Sequence, residues 1–222
     1  SSSSPPQPGH ANKLTSGLEH FPNGAKISRL FHVEMPSGSR MATPPPAHPR
    51  ALEALRLADT IVYGIGSLFT SIVAGLIPHG IGETVRGNHE ASKVLVLNGH
   101  NDRETGGFCA MDYVRAVANA LDGYRYCRGR GDGDGSSAAA AAAERPVALS
   151  QYVNIIVLLE SGRVPWSPDA LHAHGIKVVV VPKTEEDDGA EAAAPRYRAD
   201  ILARTLIGIT ARETLADLAY VP

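Results

Sequence analysis

Residues 58–85 read ADTIVYGIGSLFTSIVAGLIPHGIGETV and residues 93–108 read KVLVLNGHNDRETGGF. Each stretch is a short β-branched run that ends in a glycine-bearing polar loop and passes into a helix-like segment. Ile61, Val62 and Tyr63 lead into Gly64-Ile65-Gly66-Ser67, and Leu68 to Leu76 then reads as apolar and helical. Val94 to Leu97 lead into Asn98-Gly99-His100-Asn101-Asp102-Arg103-Glu104-Thr105-Gly106-Gly107, and Cys109 to Leu121 reads as the next helix. Two strand–loop–helix units in succession imply parallel strands joined by crossover helices. In open sheets of this kind ligands lie at the carboxyl ends of the strands, so the two loops should face one pocket.

The rest of the chain fits around that core. Lys26 to Val33 alternates well enough for one edge strand, and Met35 to Pro49 reads as a Pro/Gly/Ser loop. Pro49 stands where a helix can start, because its missing N–H would be unpaired there anyway. Ala51, Leu52, Leu55 and Leu57 carry that helix forward. Pro78 and Gly80 break the helix after Leu76, and Ile81 to Val85 resume it. Val153 to Leu159 is a continuous apolar run, the pattern of a strand covered on both faces. Ser167 caps a short helix over Pro168–His174, and Ile176 to Val181 is a further strand. Arg196–Ile209 and Arg212–Leu218 read as closing amphipathic helices. The expected architecture is an α/β, Rossmann-like parallel sheet with flanking helices, incomplete at its N-terminus. Its strands fall near residues 60–64, 93–98, 153–159 and 176–181. Residues 1–25 read as a disordered tail and 26–222 as one partial α/β domain. That domain carries a low-complexity insert over 128–145 and an acidic loop over 184–195.

Composition narrows the function classes. With 222 residues, 43% of them hydrophobic and only 5% aromatic, the chain can bury one largely aliphatic core. A net charge of −2 offers no electrostatic case for nucleic acid or an anionic membrane surface as partner. No apolar run approaches membrane-spanning length. Two cysteines make neither a disulfide framework nor a zinc site, and they suit a cytoplasmic, reducing setting, or an organelle. Ser1–Pro8 lacks the basic flank and apolar core of a signal peptide, and a chain beginning without Met inside a Ser/Pro tract reads as a fragment.

Two loops are candidate sites. In the first, Gly64 and Gly66 let the backbone approach a ligand closely, while Ser67, Thr70 and Ser71 place hydroxyls beside the free N–H groups of a helix start. The same residues would also make an ordinary tight turn with Ser67 as N-cap. Neither a dinucleotide fingerprint nor a Walker loop is present, since Phe69 stands where a third glycine would be and no Gly-Lys-Ser/Thr follows. In the second loop, Asp102, Arg103 and Glu104 could bind a metal-bridged phosphate or position a nucleophile. The alternative is a solvated loop in which Thr105 caps the following helix. No Gly-x-Ser-x-Gly elbow occurs, and His172 and His174 point to opposite sides of their helix.

The run from Ala58 to Ile72, the following Gly80-Ile81-Gly82-Glu83, Lys93 to Gly99 and Asp102 to Thr105 together resemble the 2-phospho-L-lactate transferase family and its gluconeogenesis-factor relatives. The resemblance extends from Arg50 to about Leu121, with a weaker echo in Tyr152–Pro182. It implies a magnesium-dependent transfer of a 2-phospholactyl-type group from a nucleotide-activated donor to a hydroxyl. Alternatively, it implies a non-catalytic regulator that binds a nucleotide or nucleotide sugar, and it is compatible with a homo-oligomer. On the transferase reading Gly64, Gly66, Ser67, Thr70 and Ser71 line the phosphate-bearing pocket, Asn98 faces it, and Asp102 and Glu104 are the catalytic carboxylates. Family members usually carry Pro-Gly where this chain has Asp102-Arg103, a wording closer to the plant and fungal branch. The family's opening strand and glycine-rich turn would precede Ser1, placing the chain in the C-terminal portion. On that expectation these 222 residues alone bind nucleotide weakly and catalyse nothing.

Overall fold

The computed structural model describes Ile27, Leu30 and residues 32–41, 44–123, 148–182 and 195–212. The expectations for residues 1–25, 128–145, 184–194 and 213–218 lie outside those residues. A hairpin of β1 (Val33–Glu34) and β2 (Ser39–Arg40) comes first, followed by α1 (Pro49–Leu57) and β3 (Thr60–Tyr63). A wide helical turn over Leu68–Val73 runs into α2 (Ala74–Leu76), and α3 (Ile81–Gly87), β4 (Ser92–Val96) and α4 (Ala110–Leu121) follow. A 3-10 turn over Leu149–Gln151 precedes β5 (Ile155–Leu159), α5 (Pro168–His172), β6 (Lys177–Val181) and α6 (Ala199–Thr210).

The main sheet has four strands in the order β3-β4-β5-β6. All neighbours are parallel, with Ile61 opposite Lys93, Leu95 opposite Ile156 and Val157 opposite Val179. This is the parallel sheet expected from the four apolar runs. All five residues of β5 are buried, which is why that run shows no alternation. Helices cover both faces. On one side Tyr63, Leu95, Ile156 and Val178 pack under the Leu68 turn, α3, α4 and α5. On the other, Val94, Val96, Val157 and Val179 pack under Ile209 and the partly buried Tyr197, Ile201, Leu202 and Leu206.

The edge strand expected over Lys26–Val33 differs from what forms. Its described residues Ile27, Leu30 and His32 lie outside any strand, and Val33 begins the short hairpin, which is separate from the main sheet. The turn residues Pro36, Ser37 and Gly38 decide this, because Gly38 takes a positive φ of 70° and folds the chain back at once.

Side chains tie the elements together at the end of the sheet where the strands begin. Asn88 donates to Leu55 O at 3.0 Å and Ala58 O at 2.8 Å, so α1 is terminated by a residue from the end of α3. Tyr63 donates to Tyr152 O at 2.8 Å, and Tyr152 donates to Asp122 Oδ1 at 2.7 Å. Lys93 is buried and donates to Gln151 O at 2.7 Å; burial lowers its pKa because the charged form is poorly solvated there. Among the described residues no helix is long and apolar enough to cross a membrane.

The closest backbone approach is at Gly82. A Cβ there would collide with Leu121 O at the end of α4, so α3 can lie against α4 only because Gly82 has no side chain. Gly82→Ala should destabilise the fold by about 1–3 kcal/mol through overpacking. Urea melts of the two proteins check this, and an unchanged midpoint would show that α3 shifts freely.

Candidate functional site

Both candidate loops emerge at the carboxyl ends of adjacent parallel strands, β3 and β4, and the structure brings them into direct contact. Where the β3–β4 ladder stops, the Asn98 side chain continues it. Its Nδ2 donates to Gly66 O at 2.9 Å and its Oδ1 accepts from Gly66 N at 3.3 Å. A side-chain amide thereby pairs with a backbone amide as a strand would, and it fixes the glycine loop at its middle.

Glu104 fixes the far end of the same loop. Its Oε2 accepts from Phe69 N at 2.9 Å and Thr70 N at 3.2 Å, and its Oε1 accepts from the Thr70 hydroxyl at 2.7 Å. The residue is 3% exposed. Ser67 stands in the N-cap position, but its hydroxyl makes no capping bond. The cap comes instead from Glu104, 35 positions beyond Phe69. A carboxylate is favoured there because the free N–H groups of a helix start carry partial positive charge.

The turn that follows is π-helical. Ile72 N donates to Ser67 O at 3.3 Å, five residues back, beside the ordinary bond from Ser71 N at 3.0 Å. Such wide turns are rare and often mark functional sites. Phe69 projects from this turn and meets Phe108 edge-to-face at 6.3 Å, and Phe108 meets Tyr113 of α4 in the same way at 5.9 Å. Geometries of this kind add to simple area burial.

The second loop has its own internal bracing. Asp102 Oδ1 accepts from Glu104 N at 2.9 Å and from the Thr105 hydroxyl at 3.0 Å, while Asp102 N donates to Thr105 Oγ1 at 3.0 Å. The Tyr113 hydroxyl lies 2.9 Å from both Asn101 Oδ1 and Thr105 Oγ1, and with one proton it donates to one of them. Thr105 therefore braces Asp102 rather than capping α4. The N-cap of α4 is Cys109, whose N–H donates to Asp112 Oδ2 at 2.9 Å.

What remains for a ligand follows by subtraction. Among the described residues, the amides of Gly64, Ile65, Ser67 and Leu68 have no hydrogen-bond partner, and neither do the hydroxyls of Ser67 and Ser71 or Asp102 Oδ2. Gly64, Ile65, Thr70 and Ser71 are exposed, whereas Gly66, Ser67, Asn98 and Asp102 are half-buried. A Cβ at Gly64, Gly106 or Gly107 would meet nothing within 4 Å, so the rim is open. Arg103 and Arg163 are exposed beside it, Arg163 being placed there by its amide, which donates to Gly99 O at 2.7 Å.

Three further residues carry the site and were not singled out from the sequence: Tyr113, Tyr197 and Arg163. The Tyr197 hydroxyl lies 2.8 Å from Leu97 O and 3.0 Å from Val157 O, filling the gap where β4 and β5 part; burial raises its pKa above the ordinary range. Gly99 lets this segment cross, since a Cβ there would strike Pro195 O. A cavity of about 120 Å³ opens elsewhere, near the starts of the strands, among Leu76, Pro78, Glu83, Arg86, Asp122 and Tyr152. It contains none of the candidate residues. We place the site at the open loops because their chemistry converges there.

Comparison with known proteins bears on the family and the fold. The family model described as 2-phospho-L-lactate transferase CofD matches residues 23–184. An uncharacterized protein of Saccharomyces cerevisiae is 25% identical over 186 residues, covering 82% of this chain and 38% of that protein. The gluconeogenesis factor of Halalkalibacterium halodurans is 37% identical over 108 residues, covering 47% of this chain and 30% of that protein. A crystal structure of a member of the UPF0052 family from Bacillus halodurans shares the fold, with a TM-score of 0.55 at 21% identity, over 83% of this chain and 52% of that one. This chain thus spans between about a third and a half of the length of these relatives.

The bracing of the second loop has a pH signature. Burial is the main cause raising the Tyr113 pKa from 10.0 to about 12. The folded state then keeps a proton that the unfolded state releases. Stability from this group is intact below pH 10 and is lost as pH rises through 12. Tyr113→Phe should make the fall in stability between those pH values shallower, measured by urea melts of both proteins. Equal slopes would remove Tyr113 from the titration.

Proposed function

This chain belongs to the 2-phospho-L-lactate transferase CofD family, and from that premise we propose that its paired loops bind the phosphate-bearing part of a nucleotide-activated small molecule. The observation that carries the reading is the set of unpartnered amides at Gly64, Ile65 and Ser67, beside the Ser67 and Ser71 hydroxyls, on a loop held open from β4. Successive unpaired amides form a concavity suited to anionic oxygens. Gly64, Gly66, Ser67, Thr70, Ser71 and Asn98 make up this binding loop, with Gly66, Thr70 and Asn98 setting its shape and the others touching the ligand.

In the proposed reaction, an acceptor hydroxyl attacks the phosphorus that bears the lactyl-type group, and the nucleotide's phosphate departs. The chain's part is positioning and charge stabilisation, which dominate phosphoryl transfer. Asp102 acts on the metal or on the attacking hydroxyl through Oδ2. The family resembles a magnesium-dependent transferase, and among the described residues no group of three His, Cys, Asp or Glu could hold a metal. One carboxylate still fits magnesium, which binds through one or two carboxylates together with substrate phosphates and water. Asp102 would hold it, and the ion would supply neutralisation of phosphate charge.

The Halalkalibacterium relative is named a gluconeogenesis factor, which supports a second reading as a regulator, and on that reading the same loops bind a nucleotide or nucleotide sugar without turnover. The similarity to the Saccharomyces protein supports placing the chain in a fungal-type branch, and the two-cysteine composition supports a cytoplasmic setting. Turnover of a nucleotide-activated phospholactate with a hydroxyl acceptor and magnesium would favour the transferase. Saturable nucleotide-sugar binding without turnover would favour the regulator.

Two substitutions test the site, each read by NMR titration with GDP and magnesium. Ser71→Ala should weaken binding about tenfold or more, since a hydrogen bond to a charged group contributes about 1.5–3 kcal/mol. Asp102→Asn should abolish the difference between titrations with and without magnesium. Unchanged affinity in the first, or an unchanged magnesium effect in the second, removes that residue from the site.

A further inference from the structure

We infer that Glu104 is a positioning residue, a built-in anion that holds the glycine loop in its binding shape and touches neither ligand nor reacting atoms. The inference rests on the proposed nucleotide site and assigns one of its residues a different task from the one its sequence pattern suggests. A carboxylate beside Asp102 in a polar loop reads as half of an acid–base pair. In the folded chain it is buried at 3% exposure, and both of its oxygens are engaged within the chain, by two amides and one hydroxyl of the neighbouring loop.

Three consequences follow from that placement. Glu104 takes the Phe69 and Thr70 amides, and Ser67 O takes those of Ser71 and Ile72, so four amides of the first turn are occupied from within, and Leu68, which precedes them, is fully buried. A ligand anion meets no accessible free amide there, only the Ser71 hydroxyl, and is repelled by the carboxylate. It is left with the amides upstream of the turn, at Gly64, Ile65 and Ser67. Both Glu104 oxygens are held by the turn and the side chain is buried, which keeps it away from a substrate. Finally, Asp102 Oδ1 accepts from the Glu104 amide, so Glu104 links the glycine loop to the carboxylate whose Oδ2 is open. The binding loop and Asp102 are thus set relative to one another through one residue.

The test compares Glu104→Gln, Glu104→Ala and Thr70→Val in the 222-residue chain. It reads amide hydrogen exchange at Phe69 and Thr70 by NMR, together with titration by GDP and magnesium. Gln keeps an oxygen for the two amides, so Glu104→Gln should leave their exchange protected and GDP affinity within about threefold of the parent. Glu104→Ala should accelerate exchange at both amides at least tenfold and weaken GDP by a similar factor. Thr70→Val should give an intermediate result, and it keeps the comparison readable if the Ala variant does not fold. Loss of GDP binding in Glu104→Gln with both amides still protected would place the carboxylate on the ligand and overturn the inference. Exchange unchanged in Glu104→Ala would overturn it equally. Failure of the parent chain to bind GDP would instead count against the nucleotide site, while the exchange readout would still decide whether Glu104 holds the turn.

Discussion

A carboxylate placed against the start of a helix governs the functional end of this molecule. The Phe69 and Thr70 amides have no acceptor within their own helix, and for the buried Phe69 an unsatisfied donor costs about 1–3 kcal/mol. Glu104 satisfies both and adds the Thr70 hydroxyl. The bond spans two loops, so it cannot form until β3 and β4 lie side by side in register, with Tyr63 opposite Leu95.

The same constraint explains the chemistry around it. With the helix start neutralised from within, the free accessible donors are the amides of Gly64, Ile65 and Ser67, where the chain is exposed or half-buried. Asn98 pairs with Gly66 beyond the last ladder bond, and the Phe69–Phe108–Tyr113 stack fills the space below. Tyr113 then braces Asn101 and Thr105, and Thr105 braces Asp102. Each support is a group of fixed geometry, which is how a site is held to within a few tenths of an ångström on otherwise mobile connections.

Of the eight residues that the glycine and acidic motifs brought forward, the folded chain divides the work unevenly. Asn98 and Glu104 are turned toward other protein groups, and Gly66 and Thr70 receive them. Gly64, Ser67, Ser71 and Asp102 keep unpartnered atoms toward the opening. Sequence spacing brought forward two loops that the fold sets against each other, because a glycine-rich turn after a β-branched run is local chemistry. It could not sort supporters from ligand contacts, since that depends on which of two neighbouring loops supplies each acceptor.

The apolar runs near 60–64, 93–98, 153–159 and 176–181 pointed to a parallel sheet by themselves, because apolar runs separated by helical segments must pair side by side with their crossovers covering the faces. The motif from Ala58 to Ile72 likewise determined the family. Tertiary structure alone decided that Ser67 does not cap its own helix, that Thr105 turns back to Asp102, and that Tyr113, Arg163 and Tyr197 belong to the site. The reason is range. Periodicity and turn chemistry act within a few residues, whereas the Phe69–Glu104 and Leu97–Tyr197 contacts join residues 35 and 100 positions apart, and only the register of the sheet brings them within hydrogen-bond distance.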